Sequence, residues 1–162
     1  MRVYAVELDG VLADTPADLT GERATASRFA ELFQINPYRD NVAVMSEWVY
    51  SGLVPSIVTR RPPETRSVTE AWCSKNTVPY SNFLLGVEFD DISPCLYHID
   101  ADFYVTDDVN YAIAAAESEE RNIYVVRREW NAGDEDSVTN VYENIVFINK
   151  LRNLTKLEGI KS

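Results

Sequence analysis

The chain has 162 residues, the size of one ordinary domain, and its 46% hydrophobic content suits a packed globule rather than a disordered chain. A net charge of −11 argues against sequence-independent binding to nucleic acid, which needs clustered Lys and Arg, so an anionic substrate would have to be drawn in locally, by a cation or by backbone amides. No run approaches the roughly 18–20 consecutive apolar residues that a membrane span needs, the opening Met1-Arg2-Val3-Tyr4-Ala5-Val6 lacks the longer apolar stretch and cleavage site of a secretory signal, and the two cysteines, Cys73 and Cys95, fit no metal spacing; a cytoplasmic protein with reduced, structural thiols is expected.

In chain order, residues 2–8 are apolar and β-branched enough for a buried strand, closed by the turn pair Asp9-Gly10. Residues 20–33 read as a helix with Ala26, Phe29, Ala30 and Phe33 on one face. Residues 41–51 repeat Val42, Met45 and Val49 at helical spacing, with Gly52 as the stop. A second buried strand spans 53–59 and ends at Arg60-Arg61-Pro62-Pro63. The helix expected over 64–75 turns Val68, Ala71 and Trp72 inward. Short apolar runs recur at 83–85, 103–106 and 122–126, with an alanine-rich helix over 111–117 between the last two. Residues 138–151 read as a closing amphipathic helix carrying Val141, Ile145, Ile148 and Leu151, and Trp48 and Trp72 sit on helix faces that should pack on the sheet. Strands that alternate with helices and are apolar without alternation predict an α/β fold: a single domain over 1–162, built as a three-layer α/β/α sandwich around a parallel sheet.

Ligands of such sheets bind beyond the carboxyl ends of the strands. The residues leaving those ends are Glu7-Leu8-Asp9-Gly10, then Thr59-Arg60-Arg61, then Asp107-Asp108. Hard cations such as magnesium take one or two carboxylates plus water and phosphate oxygens, and Glu7, Asp9, Asp107 and Asp108 are of that chemistry. A carboxylate facing a metal-bound phosphate can attack phosphorus to form an acyl-phosphate, while a second carboxyl protonates the leaving alcohol and later activates water. The hydroxyl of Thr59, with nearby amides, suits phosphate oxygens.

The run Glu7-Leu8-Asp9-Gly10-Val11-Leu12-Ala13-Asp14-Thr15 resembles the first motif of the haloacid-dehalogenase-like (HAD) superfamily. Ser56-Ile57-Val58-Thr59-Arg60-Arg61-Pro62 resembles its second motif, and Ala101-Asp102-Phe103-Tyr104-Val105-Thr106-Asp107-Asp108 its fourth. Thr69-Glu70-Ala71-Trp72 with Val78-Pro79-Tyr80, Arg128-Glu129-Trp130-Asn131, and Val141-Tyr142-Glu143-Asn144-Ile145 look like features of the 5′(3′)-deoxyribonucleotidase-like branch. The resemblance implies a HAD-like Rossmannoid fold and magnesium. It puts the nucleophile at Glu7 and the general acid/base at Asp9, whose main-chain carbonyl would also face the metal. Thr59, Arg60 and Gly10 would lie at the phosphate, and Asp107 with Asp108 would hold the ion. The substrate would be a small phosphorylated metabolite, a nucleoside monophosphate among the options.

The chain departs from that pattern twice. The family's nucleophile is Asp, and here it is Glu7, one methylene longer; ligation of metal and a merely structural acceptor are both open to it. The family's third-motif Lys belongs between Gly86 and Asp102, a stretch with no Lys or Arg. His98 is the only potential cation there, and a surface histidine is its plainer reading. Arg60 and Arg61 are better placed in sequence to meet phosphate, the alternative being a solvated turn. Trp130 is read as packing a loop near the site, Asp14 as fixing a turn, and Gly133-Asp134-Glu135-Asp136 as a solvated loop. Residues 16–53 form a small helical segment, short for the large cap of many relatives. Open-site relatives act on larger substrates or borrow a neighbouring subunit as a lid, so a homo-oligomer fits. Two functions remain: a magnesium-dependent phosphomonoesterase, or a catalytically impaired descendant that binds metal, phosphate or nucleotide.

Overall fold

The computed structural model describes residues 2–118 and 121–161; residues 1, 119, 120 and 162 lie outside it. Six strands form one sheet in the order β3-β2-β1-β4-β5-β6, every neighbouring pair parallel. They are β1 (Arg2–Glu7), β2 (Leu53–Val58), β3 (Asn82–Leu84), β4 (Phe103–Thr106), β5 (Asn122–Val126) and β6 (Ile145–Ile148). The helices are α1 (Phe29–Phe33), α2 (Arg39–Tyr50), α3 (Arg66–Lys75), α4 (Phe89–His98), α5 (Val109–Ser118), α6 (Glu135–Thr139) and α7 (Asn153–Leu157). One apolar cluster joins a sheet face to α1, α2, α3 and α7, and a second joins the other face to α4, α5 and α6. This is the expected three-layer sandwich, with strands buried on both sides. Among the described residues no helix is long and apolar enough to cross a membrane.

The centre of the first cluster is aromatic. Tyr4 of β1 stacks on Phe103 of β4 with centroids 5.2 Å apart, and Trp48 of α2 meets both rings edge-on. The Trp48 indole N–H donates to Thr155 of α7 at 3.0 Å, and the buried Trp72 donates to the Ile35 carbonyl at 2.7 Å. Both indoles thus bury a ring and satisfy its polar atom. Cys73 is buried and Cys95 partly so, and neither is in a disulfide.

Four segments differ from the sequence-based expectation. The helix expected over 20–33 is mostly a series of 3-10 turns, Ala17–Leu19, Gly21–Arg23 and Ala26–Arg28, with only α1 helical beyond them. Thr20 and Thr25 are extended and Gly21 is left-handed at φ +60°, so three residues interrupt the helix. The closing helix expected over 138–151 is instead α6, a turn, and the edge strand β6. Ile145, Phe147 and Ile148 are buried beside β5 while Val146 is exposed, so pairing with β5 overrides a spacing that also suits a helix. In α3 the inward residues are Val68, Thr69, Trp72 and Cys73, and Ala71 faces out. Finally, α4 had no counterpart in the sequence reading; it buries only Ile92 and Leu96 and carries Pro94 inside it.

The order of the strands fixes where a site can lie. From β1 the chain winds outward through β2 and β3, then returns to β4 on the other side and continues to β5 and β6. The switch point lies between β1 and β4, where a crevice opens beyond the strand ends.

Truncating the aromatic centre tests this packing. Trp48→Ala should cost about 3–5 kcal/mol in denaturant unfolding. Tyr50→Ala, two residues on and 94% exposed, should change stability by less than about 0.5 kcal/mol.

Candidate functional site

At the end of β1 the chain turns sharply: the amides of Leu12 and Ala13 both return to the Leu8 carbonyl, and the Gly10 amide bonds the Ala13 carbonyl at 2.8 Å. Gly10 adopts φ +83°, and a Cβ there would lie 2.0 Å from Asp107 Oδ2. Glycine is therefore required both by conformation and by the approach of the β4 loop. Opposite it, Asp107 follows β4, and its backbone carbonyl accepts from the Asn131 side chain at 2.9 Å.

This approach brings Glu7 and Asp107 together. Both are nearly enclosed, at 8% and 9% exposure, and each carboxyl acts electrostatically on the other. Burial, and after it the carboxylates of Asp107, Asp108 and Asp9, raise Glu7 well above the ordinary carboxylate range. Burial also raises Asp107, against the hydrogen bond from Trp130. Two carboxylates this buried and this near one another resist carrying charge together, and the rise is the greater at Glu7.

Asp9 has different surroundings. Its Oδ1 accepts from Thr15 Oγ1 at 2.5 Å and from Arg61 Nη2 at 2.8 Å, and its Oδ2 accepts from Thr59 Oγ1 at 3.1 Å. Asp108 caps α5: its Oδ1 accepts the amides of Asn110 at 2.8 Å and Tyr111 at 3.3 Å.

A cavity of about 280 Å³ lies among these groups. Its lining includes six residues named from sequence: Glu7, Asp9, Gly10, Arg60, Asp107 and Asp108. Thr59, at 1% exposure, does not line it; its hydroxyl is engaged by Asp9 and by the Arg61 amide. Arg61 is buried behind Asp9, whereas Arg60 is the one cationic side chain among the described residues lining the cavity. The Arg60 guanidinium packs on the rings of Phe89 and Tyr111, with centroids at 5.3 and 5.8 Å, and its Nε lies 3.5 Å from Glu88. His98 is exposed at the end of α4, by the amino ends of the strands and away from the cavity.

The structure adds residues that sequence reasoning had not given a place in the site. Thr15 lies within the first motif. Tyr111 lies in the first turn of α5, three residues after Asp108. Trp130 was expected to pack a loop, but it is 59% exposed and donates its indole N–H to Asp107 Oδ2 at 2.8 Å. Arg128 donates Nε to the Gly10 carbonyl at 3.0 Å and lies over the Tyr38 ring at 4.0 Å. The signal for both was the run Arg128-Glu129-Trp130-Asn131 directly after β5. Residues 17–21 supply Ala17, Thr20 and Gly21 to the cavity wall, so the interrupted segment before α1 forms a partial cover.

Among the described residues, no group of three or more His, Cys, Asp or Glu side chains forms a preassembled metal cage. The donor set still suits magnesium, which takes one or two carboxylates and completes its shell with water and phosphate oxygens. Glu7 and Asp107 are hard oxygen donors lining the same cavity, and a divalent cation bound there would favour the charged form of both.

No protein-family model matches the chain, and no curated protein matches it in sequence. Solved structures do match. A chain in the structure of a Pnkp1/Rnl/Hen1 complex aligns with TM-score 0.61 at 16% identity, over 78% of this chain and 46% of that one. A phosphonoacetaldehyde hydrolase-like protein from Oleispira antarctica aligns with TM-score 0.57 at 10% identity, over 80% of this chain and 59% of that one. The chain spans about half the length of these two structures. The likeness is one of fold, the α/β architecture around a parallel sheet that the sequence predicts.

The contact of Gly10 with Asp107 gives a direct test. Gly10→Ala should destabilise the fold by about 1–3 kcal/mol through backbone strain alone. It should also force Asp107 away from Glu7, visible as a displaced carboxylate in a crystal structure of the variant.

Proposed function

We propose that this protein is a magnesium-dependent phosphomonoester hydrolase of the HAD-like kind, acting on a small phosphorylated substrate such as a nucleoside monophosphate. The observation that carries this reading is the composition of the cavity wall: the carboxyls of Glu7, Asp9, Asp107 and Asp108 and the Arg60 guanidinium surround one space at the switch point of the sheet. In this reading Glu7 and Asp107 hold magnesium with Asp108 beside them. The bound ion would neutralise phosphate oxygens and favour the ionised form of Glu7.

The chain's own residues supply the rest. Arg60, braced by Phe89 and Tyr111, offers the phosphate a cation where the family's third-motif Lys is missing. Gly10 lets the backbone of the first loop approach the substrate without a side chain in the way. Glu7 is the carboxylate placed to attack phosphorus, and Asp9, fixed by three donors, is placed to pass a proton to the leaving oxygen and then to take one from water. The turns over 17–21, which wall the cavity with Ala17, Thr20 and Gly21, exclude part of the solvent.

A second reading, binding of metal and phosphate without efficient turnover, is favoured by two placements. The Glu7 side chain is one methylene longer than an Asp and is nearly buried. The Thr59 hydroxyl serves Asp9 rather than the cavity. Misplacement on the scale of 1 Å costs about a hundredfold in rate.

Phosphate release from a panel of phosphomonoesters separates the two. With magnesium the wild type should turn over, and Asp9→Asn should lower kcat by about 10²–10⁴-fold, the usual contribution of a general acid. A wild type that is inert while Glu7→Asp turns over would establish the second reading. Inertness of both would contradict the phosphatase account.

A further inference from the structure

Arg61 is anchored far more firmly than a turn residue needs. It follows the cavity-lining Arg60 directly, yet its side chain is 0% exposed. Its Nη2 donates to Asp9 Oδ1 at 2.8 Å and its Nη1 to Thr69 Oγ1 of α3 at 3.2 Å. Its backbone amide donates to Thr59 Oγ1 at 3.2 Å, and that hydroxyl donates to the other Asp9 oxygen at 3.1 Å. Arg61 therefore acts on both oxygens of one carboxylate, on one directly and on the other through Thr59.

Stability does not account for this arrangement. A buried ion pair returns little of its desolvation cost, and apolar replacements of similar volume are often neutral or stabilising. What the pair provides is orientation. The planar guanidinium, bound at Thr69 on one nitrogen and at Asp9 on the other, admits a single geometry that a flexible ammonium does not enforce. Asp9 has one edge on the cavity, while Arg61 does not line it.

We infer that Arg61 is a positioning residue: with Thr59 it clamps the Asp9 carboxylate in the orientation that faces the cavity, and it never touches substrate. The inference rests on the proposed role of Asp9 in proton transfer. It also explains why two arginines follow the second strand: Arg60 points to the cavity, and Arg61 holds the group beside it.

The test compares wild type with Arg61→Lys and Arg61→Met by steady-state kinetics with magnesium and by crystal structures of the same proteins. Where Arg61→Met does not fold, Arg61→Lys, which keeps the charge, is the variant measured. The expected result is a fall in kcat of about a hundredfold, the scale of a 1 Å misplacement, with KM unchanged and with Asp9 rotated away from Thr59. A variant with wild-type kcat per folded molecule and a lower melting temperature would make Arg61 structural only and overturn the inference. So would a lowered kcat with Asp9 unmoved. An inert wild type would sink the phosphatase reading alone; the position of Asp9 in the variant crystals would still decide the role of Arg61.

Discussion

The site is organised around two nearly buried carboxyl groups brought to one cavity. Glu7 and Asp107 come from strands β1 and β4, distant in sequence but paired in parallel, with Val6 in register with Val105. A parallel sheet sends every strand out at the same edge, so residues just beyond Val6 and Val105 have to meet. Both carboxyls are nearly buried, where like charges repel most strongly. The Trp130 indole N–H, bonded to Asp107, offsets part of this cost. A buried acid pair of this kind is an expensive way to build a stable core and an economical way to build a cation site.

The surrounding residues maintain that arrangement. Gly10 has no Cβ where one would collide with Asp107. Asn131 bridges the Asp107 and Val126 carbonyls and so ties the β4 and β5 loops together. Asp108 spends one oxygen on the first amides of α5, which leaves its other oxygen for the cavity. Cations are placed by function rather than spread evenly: Arg61 lies behind Asp9, Arg60 lines the cavity, and Arg128 holds the Gly10 carbonyl. In a chain of net charge −11, three guanidinium groups are gathered around this one site.

The sheet and its chemically loaded edge were legible in the sequence because both follow from simple rules. Apolar runs such as Tyr104-Val105-Thr106 mark strands buried on both faces, and the residues just after them sit at the ligand edge. Short or ambiguous elements were not legible. Val141, Ile145 and Ile148 have a spacing that suits a helix, but the four residues of β6 are too few to show a competing period, and only pairing with β5 decides. The segment before α1 looked helical by composition, yet Thr20, Gly21 and Thr25 break it three times. No local pattern separates Arg60 from Arg61. Their opposite directions are set by Thr69 on α3 and by the rings of Phe89 and Tyr111, residues brought near only by folding. Trp130 was legible as lying near the site, but its bond to Asp107 depends on how the β5 loop folds over β4.

Diffraction from crystals soaked in manganese, with anomalous scattering recorded at the manganese edge, tests the cation pair most directly. The account predicts one strong anomalous peak bridging the Glu7 and Asp107 carboxylates, about 2.0–2.2 Å from an oxygen of each, as for a magnesium-like ion. It also predicts that the peak disappears in Asp107→Asn. No peak at this position, or a peak bound elsewhere with Glu7 and Asp107 unligated, would contradict it.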